Sequence, residues 1–125
     1  MATLKISDLS VGDWVRYEGK EYQVQCVDAM SEIVTLFGYC EQRDESVGNL
    51  RSIPIAAEIL EANEIHRTYE DDNYAIFNAD GLWAIKYSDG DWELSTPPVC
   101  RVDINYVHQL QHVLRLVGAD KEINL

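Results

Sequence analysis

Two Asp-Gly turns in the second half of the chain constrain its fold more than any other feature of the sequence. Asp80-Gly81 and Asp89-Gly90 separate three short runs that are rich in aromatic and β-branched residues. An Asp-Gly pair in this setting is a strong hairpin signal, because glycine accepts the positive φ that a tight turn needs. The sequence therefore predicts a three-stranded antiparallel meander over residues 74–95.

The final helix is the predicted cover of that meander. Residues 105–118 carry an apolar stripe at the 3.6-residue period, with Asn105 as the expected cap and Gly118 as the expected left-handed end. The stripe consists of Tyr106, Leu110, Val113, Leu114 and Val117. We expect this stripe to be buried against the sheet.

The remaining segments of the second half are less strongly patterned. Pro54 breaks strand pairing, and residues 55–65 read as a helix in which Ala56 stands where a Ser or Thr cap would help. Residues 66–73 read as a polar, acidic turn. Residues 99–104 read as a short strand or an extended link into the final helix.

The first half of the chain reads as four short strands, at 14–17, 20–28, 33–39 and 49–53, with a charged loop over 40–48. In the second of these, Tyr22, Val24 and Cys26 alternate with polar residues, which is typical of a half-buried antiparallel strand. The opening, Leu9-Ser10-Val11-Gly12-Asp13-Trp14-Val15 feeding a hairpin, resembles the start of Src-homology-3-like barrels. This resemblance implies a fold and no function.

The predicted fold class is therefore α+β with two lobes. Residues 1–53 form a small Src-homology-3-like β-barrel lobe. Residues 54–125 form a lobe made of a linking helix, the three-stranded meander and the C-terminal helix packed on it.

Charge and cysteine usage exclude several kinds of partner. The chain of 125 residues has a formal net charge of −12, and its ten basic residues are scattered, so direct binding to nucleic acid is not expected. No stretch has the length of a membrane span or of a signal peptide. Cys26, Cys40 and Cys100 form no Cys-x-x-Cys pair and fit a reducing compartment, so we expect a cytoplasmic protein.

No catalytic or metal-binding motif is present. His108 and His112 share one helix face at the spacing of a metal pair, but Gln109 stands where a metalloprotease has Glu, and two polar residues on the exposed helix side are the simpler interpretation. Residues 70–72 with Asp80 do not meet the spacing of a calcium loop. Nucleophile elbows and glycine-rich phosphate loops are also missing from the sequence. We therefore predict no catalytic residues, no metal and no cofactor.

The three tryptophans admit two interpretations. Trp14, Trp83 and Trp92 each lie in a predicted strand. Burial in a core is the default use of such large side chains, and a contact surface is the alternative.

Three segments resemble a family of short uncharacterised proteins from gut bacteria and their prophages or mobile elements. They are the opening at residues 6–13, the Ile53-Pro54-Ile55 joint with the helix after it, and the His108-Gln109-Leu110-Gln111 core of the last helix. Ala56 and the Glu64-Ile65 helix end depart from the family pattern. The resemblance implies an α+β protein linked to mobile DNA, and it implies no activity and no site residues.

The leading functional hypothesis is a non-enzymatic protein-binding or accessory protein whose partner is another protein. A sharper alternative is an acidic DNA mimic that occupies a basic nucleic-acid-binding protein. A third is a small enzyme or ligand-binding domain with an unfamiliar site between the lobes. The sequence leaves these three open, along with the oligomeric state.

Overall fold

The structure is a computed structural model that describes residues 4–79, 81–96, 99–118 and 121–125, with the backbone alone at residues 99 and 100. Most of the described chain is sheet, in one four-stranded and one five-stranded antiparallel sheet. The chain divides into two compact units, Met1–Ile53 together with Leu125, and Pro54–Asn124.

The first unit is a sheet of four strands in sequential order. Its strands are β1 (Trp14–Tyr17), β2 (Lys20–Asp28), β3 (Ile33–Gly38) and β4 (Glu41–Ser46), with 3-10 turns at Ile6–Asp8 and Val47–Asn49. One face of the sheet is buried beneath the N-terminal segment and the segment after β4. The buried side chains of this core are Leu4, Leu9, Val15, Tyr22, Val24, Val34, Leu36, Val47 and Leu50.

The barrel predicted for the first unit is wrong. The predicted charged loop at 40–48 contains β4, which pairs with β3 along its whole length. The predicted fourth strand at 49–53 is reduced to one bridge between Arg51 and Arg16. Across the described residues β1 and β4 do not pair, so the sheet stays open. A barrel closes only when its first and last strands hydrogen-bond.

A β-bulge explains why Cys26 is exposed rather than buried. Register shifts between Val24 and Cys26, which pair with Leu36 and Thr35. The extra residue in β2 reverses the alternation, because two residues oppose one on the partner strand. Cys26 therefore faces solvent, and Val27 packs against the core in its place.

The second unit contains a five-stranded meander, not the predicted three-stranded one. Its strands are β5 (His66–Glu70), β6 (Tyr74–Ala79), β7 (Leu82–Tyr87), β8 (Trp92–Thr96) and β9 (Val99–Ile104). The two extra strands are the edges: β5 replaces most of the predicted polar turn, and β9 replaces the predicted strand or link. All five residues of β5 are exposed, so it carries no apolar alternation for a sequence pattern to detect.

Two helices complete the second unit: α1 (Ala57–Ala62), shorter than predicted, and α2 (Val107–Leu116). As predicted, Ala56 precedes α1 without a side-chain cap. Leu114 of α2 lines the same cavity as Leu82 and Thr96 of the sheet, which places α2 on the buried sheet face. The buried residues of α2 are Val107, His108, Leu110, Gln111 and Leu114.

The cap of α2 also differs from expectation. Tyr106, not Asn105, is the residue before the first helical turn. Gln109 reaches back, and its Oε1 accepts the N–H groups of Asn105 and Tyr106 at 2.8 and 3.1 Å. Gly118 ends the helix with φ of 72°, as the sequence predicts. Among the described residues, no helix combines the length and the apolar character that a bilayer crossing requires.

Candidate functional site

The clearest candidate surface is the side of the five-stranded sheet that faces solvent. Strand alternation buries Phe77, Leu82, Ala84 and Leu94 on one face. The opposite face, called here the outer face, carries aromatic and aliphatic side chains in neighbouring strands. They are Tyr69, Tyr74, Ile76, Trp83, Ile85 and Tyr87.

The outer face is apolar where an open antiparallel sheet is normally polar. Trp83 is 44% exposed and Tyr69 47%, while the other four side chains are half-buried. Cross-strand pairing joins Ile76 to Ile85 and Tyr74 to Tyr87, so these side chains form one continuous patch. Large exposed aromatics in a contiguous patch mark interaction sites more often than singly scattered ones do.

Acidic groups surround this patch and fix its tyrosines. The Tyr69 hydroxyl donates to Asp71 Oδ2 at 2.8 Å, and this bond to a carboxylate raises the pKa of Tyr69. Partial burial, and then the charge of Glu93, raise the pKa of Tyr87, whose hydroxyl donates to Glu93 at 3.3 Å. Asp103 of β9 lies directly opposite Glu93 of β8 in the strand register. Arg101 lies 3.0 Å from Glu93 and neutralises it in part.

The opposite side of the same unit holds a cavity of about 620 Å³. Leu82 and Leu114, both almost fully buried, form apolar parts of its wall, and buried Thr96 contributes a hydroxyl-bearing side chain. Exposed Glu64 and Glu122 place carboxylates at its rim. Its volume lies within the ~300–1,000 Å³ that ligand sites occupy.

The C-terminal segment forms one wall of this cavity, and Asn63 fixes it there. The Asn63 side chain accepts the Asn124 N–H at 2.7 Å and donates to the Asn124 carbonyl at 3.0 Å. Lys121 Nζ donates to the Asn63 carbonyl at 2.8 Å. Ile123, between these contacts, is 2% exposed. The segment after α2 is thus a packed part of the unit.

Glu64 reaches the cavity rim from a strained backbone. It follows α1 with φ of 63°, a left-handed conformation in which glycine is the usual residue. The N–H groups of Glu64 and Ile65 donate to Glu61 and Leu60, which completes the helix end. A side chain in this conformation costs about 1–2 kcal/mol relative to the right-handed region. The chain therefore carries a carboxylate at a position where glycine would be more stable.

His108 and His112 do not form the exposed pair that the sequence suggests. His108 is 5% exposed and its ring stacks on Tyr106, with ring centroids 5.9 Å apart. His112 is half-buried, and its ring meets that of His108 edge-on at 5.7 Å. Among the described residues, no three His, Cys, Asp or Glu side chains are arranged to hold a metal ion. The pair belongs to the packing of α2.

The acidic turn at residues 70–72 has a structural role. Asp71 Oδ1 accepts the N–H groups of Asn73 and Tyr74 at 2.8 and 3.0 Å, and these bonds lower the pKa of Asp71. Both Asp71 oxygens therefore hold the turn between β5 and β6. Asp80, the other residue of the calcium hypothesis, lies outside the described residues.

The first unit has a smaller aromatic and charged cluster on its edge strand. Arg43 lies over the Tyr17 ring at 4.9 Å and pairs with Glu41 and Glu45 at 3.2 and 3.1 Å. Arg43 stands opposite buried Leu36, so it points toward the core side of the sheet. Inward-pointing charges on an edge strand prevent pairing with other chains. We assign this cluster to edge protection.

Comparison with known proteins adds no assignment: no family model matches the chain, and no curated protein or solved structure is significantly similar to it. The site must therefore be argued from the geometry above.

Sequence reasoning recovered half of the outer face. In the run Leu82 to Tyr87, alternate positions put Trp83, Ile85 and Tyr87 on one strand face, but burial is the default expectation for Trp83. The structure buries Trp92, half-buries Trp14 and exposes Trp83. No local signal separates the two faces of that strand, because both are largely apolar.

Proposed function

We propose that this chain is a non-enzymatic binding protein that recognises a basic protein through the outer face. The observation that carries the proposal is the patch of six aromatic and aliphatic side chains on the solvent side of an antiparallel sheet. Tyr and Trp are enriched among the residues that dominate binding energy, because they bury a large area with few rotatable bonds.

The chemistry of the partner follows from the charges around the patch. Asp71, Glu93 and Asp103 lie at or beside the outer face, with Arg101 as the basic residue among them. The chain as a whole has a net charge of −12. An aromatic or aliphatic surface rimmed by Lys and Arg would complement this arrangement and associate faster at low salt.

The DNA-mimic and small-enzyme alternatives are less well supported. A DNA mimic requires carboxylates that line one face at the spacing of phosphates. In this chain several carboxylates instead stabilise turns by accepting backbone N–H groups; they belong to Asp8, Asp13, Asp28, Asp71 and Asp89. No described cluster suggests catalysis. We propose a cytoplasmic location, which the free, exposed thiols of Cys26 and Cys40 support. The resemblance of three sequence segments supports a mobile-element origin.

The experiment compares capture by the intact chain with capture by matched surface variants. The chain is immobilised and exposed to a lysate of host or phage-infected cells, and retained proteins are identified by mass spectrometry. Trp83→Ser with Tyr69→Ser removes the two most exposed aromatics of the outer face. Met30→Ser with Val11→Ser is the control, because both are exposed apolar residues of the first unit.

A basic protein that binds the wild type and the control, and whose purified form binds the double variant at least about tenfold more weakly, supports the proposal. Binding of that protein should also weaken as salt rises. Equal affinity of the purified partner for wild type and the Trp83/Tyr69 variant rules out the outer face as the site.

A further inference from the structure

We propose that the cavity in the second unit is a binding site for a small organic cation with an apolar body, such as an alkylammonium. This site lies on the buried side of the sheet, away from the outer face, so it is independent of the proposed function. Five parts of the unit line it: the end of α1, Ala79 and Leu82 of β6 and β7, the end of β8, Leu114 of α2 and the C-terminal segment.

The cavity has separate apolar and charged regions. Leu82 and Leu114 are 4% and 3% exposed, so their side chains offer an apolar wall that water contacts poorly. Thr96, 8% exposed, supplies a polar atom among them. An apolar ligand body placed here would leave water at about 25 cal/mol for each Å² that it buries.

The rim selects a positive charge. Glu64 and Glu122 are exposed carboxylates, and Lys121 is the one basic side chain among the described residues that line the cavity. Lys121 is already directed to the Asn63 carbonyl at 2.8 Å. The two carboxylates would repel an anionic ligand and attract a cationic one.

Glu64, at the rim of the cavity, also has an unusual backbone conformation. Its left-handed conformation is destabilising for any residue with a Cβ, and glycine would relieve it. What the chain gains at this position is a carboxylate at the mouth of the cavity.

The test uses n-hexylammonium as the probe and the intact protein observed by amide NMR. Hexanoate and hexanol are matched probes that carry a negative charge and no charge. We expect saturable shifts for hexylammonium at the amides of Glu64, Thr96 and Lys121, and weaker or absent shifts for the other two probes. Saturation by hexanoate with equal affinity, or hexylammonium shifts confined to the outer face, would overturn the proposal.

Matched variants distinguish binding in the cavity from nonspecific attraction to the negative charge of the protein. Glu64→Gln with Glu122→Gln removes both rim charges at nearly constant size, and should raise the Kd of hexylammonium about fivefold to tenfold. Glu58→Gln with Asp72→Asn removes two exposed charges elsewhere in the same unit and should leave the Kd unchanged. If both double variants raised the Kd of hexylammonium equally, the interaction would be nonspecific attraction. If the wild type did not bind hexylammonium, the proposed site would be refuted.

Discussion

At the scale of single residues, backbone conformation determines how substitution affects stability at several positions that the residue type alone does not single out. Glu18, Glu32, Tyr39, Cys40 and Glu64 all adopt positive φ although none is glycine. Tyr39 and Cys40 form the whole of the turn between β3 and β4, and Tyr22 packs on the neighbouring Gly38 so closely that an added Cβ would lie 2.8 Å from its ring. At such positions the sign of a substitution's effect on the free energy of unfolding can be predicted.

Glu64→Gly should stabilise the protein by about 0.5–1 kcal/mol, because glycine removes the left-handed strain and only part of that gain is lost to unfolded-state entropy. The free energy of unfolding in urea measures the change. Glu58→Gly, in the first turn of the same helix, is the control and should destabilise by about 0.5–1 kcal/mol. Destabilisation by both substitutions would contradict the assigned backbone conformation of Glu64.

Leu110→Asp should cost more than about 4 kcal/mol of unfolding free energy, because it removes a side chain that is 1% exposed and buries a carboxylate without a partner. Leu116→Asp, on the same helix but 77% exposed, should change stability by less than about 0.5 kcal/mol. Thermal or urea unfolding of the two variants checks this. Similar losses in both would mean that α2 is not packed by the face described.

At the scale of elements, the edge strands depend on backbone and carboxylate hydrogen bonds more than on burial. β5 is exposed at every residue, yet it pairs with β6 and is anchored to α1. Glu61 Oε1 accepts the Arg67 N–H at 2.7 Å, and Glu61 Oε2 lies 3.6 Å from His66 Nδ1. These contacts, the Arg67 N–H first, lower the pKa of Glu61.

This lowered pKa makes the attachment of β5 sensitive to acid. A carboxylate whose folded-state pKa is depressed stabilises the fold fully above its ordinary pKa of ~4.3, and the contribution disappears as pH falls through the folded value. We therefore expect protection of the Arg67 amide hydrogen against exchange to be constant above about pH 4.3 and to fall as pH is lowered further, after correction for intrinsic rates. Glu61→Gln should remove most of this pH dependence, and an unchanged profile in that variant would exclude Glu61 as its source.

At the scale of the whole molecule, the net charge and the outer face have opposite effects on association between copies of the chain. Acidic residues outnumber basic ones by 22 to 10, so copies of the chain repel one another electrostatically at neutral pH. The outer face remains apolar under all conditions. Each unit has its own sheet, and the described part of the second unit carries both the outer face and the cavity.

Self-association should therefore increase as pH approaches the sequence isoelectric point near 4.4, where the repulsion vanishes. Light scattering or sedimentation across this pH range measures it. Trp83→Ser with Tyr69→Ser should reduce the association, and Met30→Ser should not, although Met30 is 98% exposed. Association that is the same in all three proteins would show that the outer face does not drive it.

Helices and strands with one apolar face could be predicted from the sequence, and elements without such a face could not. The hairpin strands β1, β2, β6, β7 and β8 and the end of α2 before Gly118 follow from alternation and turn residues. The edge strands β4 and β5 were missed because polar side chains on both faces leave only backbone pairing to define them. That pairing depends on a neighbouring strand and has no signature in the segment itself.

The sequence by itself determined where the hairpin turns of the second sheet lie, which segments alternate, and the net charge of −12. Tertiary structure alone decided which of two apolar faces of β7 is covered, and it exposed Trp83 and buried His108. It also assembled Glu64, Thr96 and Glu122 around one cavity. Burial and proximity arise from contacts between distant segments, so they depend on how α2 and the C-terminal segment pack on the sheet, which no local pattern contains.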